Sequence, residues 1–172
     1  MADSIANIPP MVIGGSIISA GSLILHIVGF STTYWLKKNV DRNSFFHLGL
    51  WKSCQVSGEN EHCDYIKDQN ARFKASEAME CLALLAFVAA MVCAILKMFV
   101  LKNQRMLFVV TGLLNLLAGG CALVGVIVFA SMKLDGHFHY SFGLCIVGGI
   151  GGVFSGIIFI LAWHWVKDYE GM

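Results

Sequence analysis

The sequence predicts a mainly α-helical membrane protein in which four spanning helices carry one small β-sheet. The first observation is composition: of 172 residues, 57% are apolar and only 13% are charged, whereas a soluble domain carries about 25% charged residues. This chain has too little charge to cover a soluble surface and too much hydrophobicity to stay disordered. A net charge of +1 also excludes nucleic-acid binding, which depends on clustered Lys and Arg.

The second observation is that four apolar stretches are each long enough to cross a bilayer, which takes about 20 helical residues. These stretches are residues 11–30, 78–96, 106–132 and 141–166. A β-barrel is excluded because its strands would alternate over about 10 residues instead of being continuously apolar. Connection 31–77 is long, whereas connections 97–105 and 133–140 are short.

Basic residues do not decide the orientation of the spans. Connection 97–105 contains Lys97, Lys102 and Arg105 without an acid, which is typical of a cytosolic loop. Connection 31–77, however, contains seven basic residues. An even number of spans places both termini on one side, so another signal has to decide which side that is.

Cysteine placement supplies this signal. Cys54 and Cys63 are the only two of the six cysteines outside the predicted spans, and they flank a polar segment with Ser57-Gly58 at its middle, which is typical of a hairpin turn. Paired strands would bring the two sulfurs within disulfide distance. The alternative is two thiols of a metal site, but no Cys-x-x-Cys or His-x-x-x-His spacing supports zinc.

A disulfide forms in an oxidising compartment. Connections 31–77 and 133–140 are therefore predicted to be extracellular, and residues 1–10, 97–105 and 167–172 are predicted to be cytosolic.

The long connection is predicted to fold as a small antiparallel sheet. Residues 45–54 are apolar and aromatic, which favours a strand, and residues 63–66 supply a shorter partner. Residues 31–36 are predicted to leave the first span as a third strand. Residues 69–77 are predicted to be helical and continuous with the second span.

Polar residues inside the spans are the remaining candidates for chemistry. His26 is predicted to hydrogen-bond a neighbouring span, and Glu80, one turn inside the predicted second span, is predicted to lie at the interface. No metalloprotease, serine-hydrolase or phosphate-binding motif occurs. The sequence therefore predicts no enzyme, no cofactor and no metal site.

Glycines recur every fourth residue in the last span, at Gly148, Gly152 and Gly156. Small residues at this spacing let helix backbones approach closely. The stripe fits either a homo-oligomer interface or packing inside the bundle. Packing is favoured because the other spans also contain small residues.

The connection 31–77 resembles the W–GLW–C–C signature of the claudin and peripheral myelin protein superfamily, which includes the epithelial membrane proteins. The matching residues are Trp35, Gly49, Leu50, Trp51, Cys54 and Cys63, and Arg72 ends a segment that resembles the claudin Q-x-A-R sequence. The resemblance implies a left-handed four-helix bundle with its sheet formed mostly by the first extracellular loop. It also implies a plasma-membrane protein that self-associates within one membrane and across cell–cell junctions.

Asp64 follows the second cysteine directly. Claudin-like proteins place charged side chains here along the intercellular pathway, so the resemblance implies a preference for cations at this position. Claudins usually have a longer second extracellular loop and end in a PDZ ligand, and neither feature is expected here. These departures keep an alternative open, namely an auxiliary subunit that modulates a channel or another membrane protein.

Overall fold

The described residues form four helices and five strands. The computed structural model describes residues 10–41, 44–58, 60–67, 70–101, 104, 106–132 and 134–170, with side chains up to residue 165. The helices are α1 (Pro10–Ser31), α2 (Ala71–Phe99), α3 (Met106–Ala130) and α4 (Tyr140–Glu170). The strands are β1 (Leu36–Asp41), β2 (Ser44–Leu48), β3 (Lys52–Ser57), β4 (Asn60–Tyr65) and β5 (His137–Phe138).

All four helices are long and apolar enough to span a membrane, which confirms the four predicted spans. Helix α4 packs against α1 and α3, and α3 packs against α2, while α1 and α2 touch over a smaller area. The left-handed crossing of the helices stays a prediction. Gln69, Lys102, Arg105, residues 1–9 and residues 171–172 lie outside the described residues.

The glycine stripe of α4 faces the other helices of the same chain. A Cβ atom on Gly156 would lie 2.8 Å from the carbonyl oxygen of Gly112 in α3, and one on Gly148 would lie 3.0 Å from that of Ser22 in α1. A Cβ on Gly152 would lie 2.7 Å from the ring of Phe87 in α2. The absent side chains thus let α4 approach α1 and α3 at backbone distance and leave room for the Phe87 ring of α2.

The five strands form one antiparallel sheet in the order β4-β3-β2-β1-β5. The β3–β4 hairpin turns at Gly58, whose φ of +63° lies in the left-handed region that glycine adopts without strain. This agrees with the turn predicted at Ser57-Gly58. Strand β5 comes from the α3–α4 connection and pairs with β1, so both connections on this side of the bundle contribute to the sheet.

Two of the predicted strands are wrong. Residues 31–36 are not a strand, because α1 continues to Ser31 and only Leu36 belongs to β1. The backbone N–H and the hydroxyl of Thr32 both donate to the Val28 carbonyl, at 3.2 and 2.7 Å, and close the last turn of the helix. The predicted strand 45–54 is really β2 and β3, separated by a reversal at residues 49–51.

Glu80 lies inside the helix bundle, and its placement at the membrane interface stays a prediction. Helix α2 begins at Ala71, so Glu80 lies about 14 Å from the start of the helix, at 1.5 Å per residue along the axis. The side chain of Glu80 is fully buried. The predicted hydrogen bond of His26 to a neighbouring span is confirmed, since its Nε2 lies 3.2 Å from the Glu80 carbonyl oxygen.

Candidate functional site: the disulfide-linked sheet

Two tryptophans attach the sheet to the end of α1. The Trp35 indole N–H donates to the Gly29 carbonyl at 2.8 Å, and the Trp51 indole N–H donates to the Phe30 carbonyl at 3.0 Å. Trp35 is fully buried, and its ring meets Phe129 of α3 edge to face at 4.9 Å. The carbonyls that α1 leaves unpaired at its C-terminus are therefore the docking points of the sheet.

Gly49 and Leu50, which precede Trp51, also have the sizes that the contact between the sheet and the end of α1 requires. A Cβ on Gly49 would lie 2.6 Å from the Thr33 Cα and 3.0 Å from the Thr32 carbonyl oxygen, so a side chain there would collide with backbone. Leu50 is fully buried in the cluster that also contains Trp35 and Phe129. In the Gly-Leu-Trp motif, glycine thus allows a close backbone contact, leucine packs in the apolar cluster, and tryptophan donates a hydrogen bond to α1.

The predicted disulfide is confirmed. Cys54 and Cys63 lie directly opposite each other in β3 and β4, with their Cα atoms 4.1 Å apart and their sulfurs bonded. The bond rules out the alternative of a metal held by these two thiols. Cross-links that close short loops stabilise a fold by about 2–3 kcal/mol, and this one secures the outermost strand of the sheet.

His47 is a functional candidate that the sequence did not single out. The ring is fully buried and stacks on Tyr34 at 4.3 Å. Its Nδ1 lies 3.3 Å from the Thr33 carbonyl oxygen, and its Nε2 lies 3.3 Å from Glu61 Oε1 on β4. His47 therefore links the middle of the sheet to both the α1–β1 segment and the outer strand.

Strand alternation gives the sheet two distinct faces. The disulfide face contains the directly opposed residues Cys63, Cys54, His47 and Lys37. The groove face contains Asp64, Ser53, Leu48 and Leu36, which oppose one another in the same way.

The groove face borders a depression of about 480 Å³. It is lined by Leu36, Lys38, Val40, Phe46, Leu48, Gln55, Leu134 and Asp135. One charged pair crosses its rim, with Lys38 Nζ 3.6 Å from Asp135 Oδ2. The lining is thus apolar at the base and charged at the edge.

Asp64 is at the margin of the groove face, on β4. Its side chain is 74% exposed and its Oδ2 lies 3.3 Å from Nε2 of His62, which is 85% exposed. Solvent screening makes such a pair weak, so the carboxylate remains available to ions in solution. Arg72 is exposed in the first turn of α2.

Strand β4 forms one margin of the sheet, and all six of its residues are exposed. Within the described part of the chain it pairs only with β3. Lys52 lies over the ring of Tyr65 at 4.8 Å from its centroid, and Tyr65 is 67% exposed. An unpaired strand edge with an exposed aromatic is a surface on which another chain can pair.

Residues 11–163 match the PMP-22/EMP/MP20/Claudin family, a range that runs from the start of α1 to near the end of α4. The match thus includes the sheet, its disulfide and all four spans. No curated protein matches the chain. The chain belongs to the PMP-22/EMP/MP20/Claudin family of four-span membrane proteins.

Proposed function

We propose that this chain joins apposed plasma membranes, with its sheet associating laterally and across the gap to form junctions or compact membrane stacks. The observation that supports this most is the rigid seating of the sheet. A disulfide, two tryptophan anchors and a strand from the second connection hold it on the helices. A surface held this firmly loses little conformational entropy on binding.

The disulfide also supports an orientation. An oxidising compartment is needed for it, so the sheet is extracellular and both termini are cytosolic. Membership of the family supports a multi-pass protein of the plasma membrane, and the function proposed here places it at cell–cell contacts.

The binding surface is the β4 edge together with exposed aromatics. Phe45 and Phe46 are both only partly exposed. Lys37 covers the Phe45 ring at 4.3 Å, and Phe46 lines the groove. Tyr65 at 67% exposure and Phe138 at 50% exposure are better placed to meet a partner.

Expression of the tagged chain in non-adherent cells tests the proposal. Enrichment of the tag at contacts between two expressing cells is the expected result, because both membranes then present the sheet. Tyr65→Asp should reduce this enrichment, while Lys74→Glu, a change at an exposed position of α2 outside the sheet strands, should retain it. Equal distribution of wild-type protein over contacting and free membrane contradicts adhesion.

One observation favours a second function, that of an auxiliary subunit of a channel or another protein in the same membrane. The α3–α4 connection is tied to the sheet through β5, so it offers little projecting surface for contacts across a gap. In the same cells, a uniform surface signal together with a co-purifying channel supports this role.

A further inference from the structure

Three chemically reactive side chains from three helices meet inside the bundle. They are His26 of α1, Glu80 of α2 and Cys145 of α4, and all three are fully buried. One imidazole nitrogen, one carboxylate oxygen and the thiol sulfur lie within 4.8 Å of one another. Neither the sequence motifs nor the proposed function uses this cluster.

The hydrogen bond of His26 fixes which ring nitrogen faces the cluster. Its Nε2 lies 3.2 Å from the Glu80 carbonyl oxygen, and a carbonyl can only accept, so Nε2 carries the proton. The lone pair of Nδ1 then points toward the Glu80 carboxyl group, with Nδ1 3.6 Å from Oε2. This distance is too long for a hydrogen bond, which falls at about 2.7–3.2 Å.

Three polar atoms of this cluster are consequently left without a partner. Nδ1 of His26 and both carboxyl oxygens of Glu80 make no hydrogen bond to any described residue. Unpaired polar atoms in an apolar bundle are costly. An ion bound between the three side chains would give Nδ1 and one of the carboxyl oxygens a partner.

Two glycines give the cluster its space. A Cβ on Gly29 would lie 2.6 Å from the Cys145 sulfur, and a Cβ on Gly125 would lie 2.6 Å from Glu80 Oε1. Any larger residue at either position would push a side chain of the cluster out of place. The backbone of α1 and α3 is therefore shaped around the cluster.

We propose that His26, Glu80 and Cys145 bind one divalent transition-metal ion, with zinc as the best chemical match. Zinc takes imidazole, carboxylate and thiolate ligands at about 2.0–2.3 Å, so tetrahedral ligands lie roughly 3.3–3.6 Å apart. The separation of Nδ1 and Oε2, 3.6 Å, already has this value. Binding releases the thiol proton and any carboxyl proton.

The charge and the surroundings fit this ion. A divalent cation, one thiolate and one carboxylate sum to zero, which is the least costly charge in an apolar interior. The bond from Nε2–H to a backbone carbonyl is the outer contact that metal-binding histidines typically make. The ion would join α1 to α2, the helices with the smaller mutual contact, and to α4 directly below the sheet.

Metal analysis of the full chain, produced in zinc-supplemented cells, tests the proposal. Loading in cells is preferable because Cys145 packs in the same cluster as Trp35 and Leu50, which cover the site once the chain has folded. The protein is purified in detergent through a tag that does not bind metals. Zinc equimolar with protein is expected, with loss to background in His26→Gln and Cys145→Ser.

A cobalt-grown sample adds a readout that is specific for coordination by a thiolate. Coordination by a thiolate gives cobalt a near-ultraviolet charge-transfer band, which should appear in the wild type and disappear in Cys145→Ser. Cys121→Ser is the matched control, because Cys121 is also a buried free cysteine but lies outside the cluster, and it should retain both zinc and the band. Wild-type zinc no higher than that of His26→Gln, with no cobalt band, overturns the proposal.

Discussion

Gly49 shows how one missing side chain positions the whole sheet. The strand reversal at this residue passes so close to the α1–β1 segment that a Cβ would lie 2.6 Å from the Thr33 Cα. Backbone on both sides prevents local relief, so the sheet or the segment has to move. The same contact explains why the Gly-Leu-Trp motif begins with glycine.

Gly49→Ala should therefore destabilise the protein by about 1–3 kcal/mol, the usual cost of overpacking. Thermal unfolding in detergent measures the effect as a lower melting temperature. Gly120→Ala is the matched control, because nothing lies within 4 Å of a Cβ there and alanine favours a helix over glycine by about 1 kcal/mol. Equal melting temperatures for the two variants would show that the Gly49 contact is not restrictive.

Asp64 is the residue at which ion preference is best tested. Its exposed carboxylate lies on the groove face, where a negative charge raises the local concentration of cations. Asp64→Asn should lower the cation-to-anion permeability ratio of epithelial monolayers that express the chain. His62→Gln keeps the carboxylate and should preserve the ratio; an unchanged ratio in Asp64→Asn contradicts an ion-pathway role.

At the level of single residues, sequence reasoning succeeded where partners are close along the chain. Cys54 and Cys63 are separated by one hairpin, so their pairing could be predicted from the turn between them. The surroundings of His47 and Glu80 were not predicted because they come from other elements. Glu80 meets α1 and α3, and no local pattern contains that information.

The β3–β4 hairpin is the element that depends most on the disulfide. Strand β4 pairs with one neighbour, whereas β1 is held between β2 and β5. The double variant Cys54→Ala/Cys63→Ala should therefore loosen β4 far more than β1, by about 2–3 kcal/mol of local stability. Amide exchange of the two strands measures this difference, and equally accelerated exchange in β1 and β4 would contradict a local role for the bond.

Hydrophobicity predicted the membrane-spanning helices well, but it predicted the strands of the sheet poorly. The four spans were predicted closely because every spanning backbone has to be helical in lipid. Helix α2 begins seven residues before the apolar stretch of the second span, within the segment 69–77 that the sequence predicted to be helical and continuous with that span. Residues 45–54 were predicted as one strand because their composition is continuous, yet the chain reverses at residues 49–51, where Leu50 is buried against the helices.

At the scale of the whole molecule, the sheet and the helices form a single packed unit. Trp35, Leu50 and Phe73 from the long connection and α2 share one cluster with Phe129 and Cys145 of α3 and α4. A second cluster around Phe108 and Phe159 occupies the other end of the bundle. The long connection thus caps the helices at one end of the bundle, and the proposal that this cap is extracellular can be tested directly.

An epitope inserted at Gly58 tests this orientation without disturbing the fold. Gly58 is a hairpin tip with nothing within 4 Å of a Cβ, and loop tips of this kind tolerate insertion. In intact cells, antibody should label this epitope but not epitopes fused to either terminus, and all three should label after permeabilisation. Labelling of the termini alone in intact cells would place the disulfide on the cytosolic side and contradict the orientation, because reducing conditions there oppose its formation.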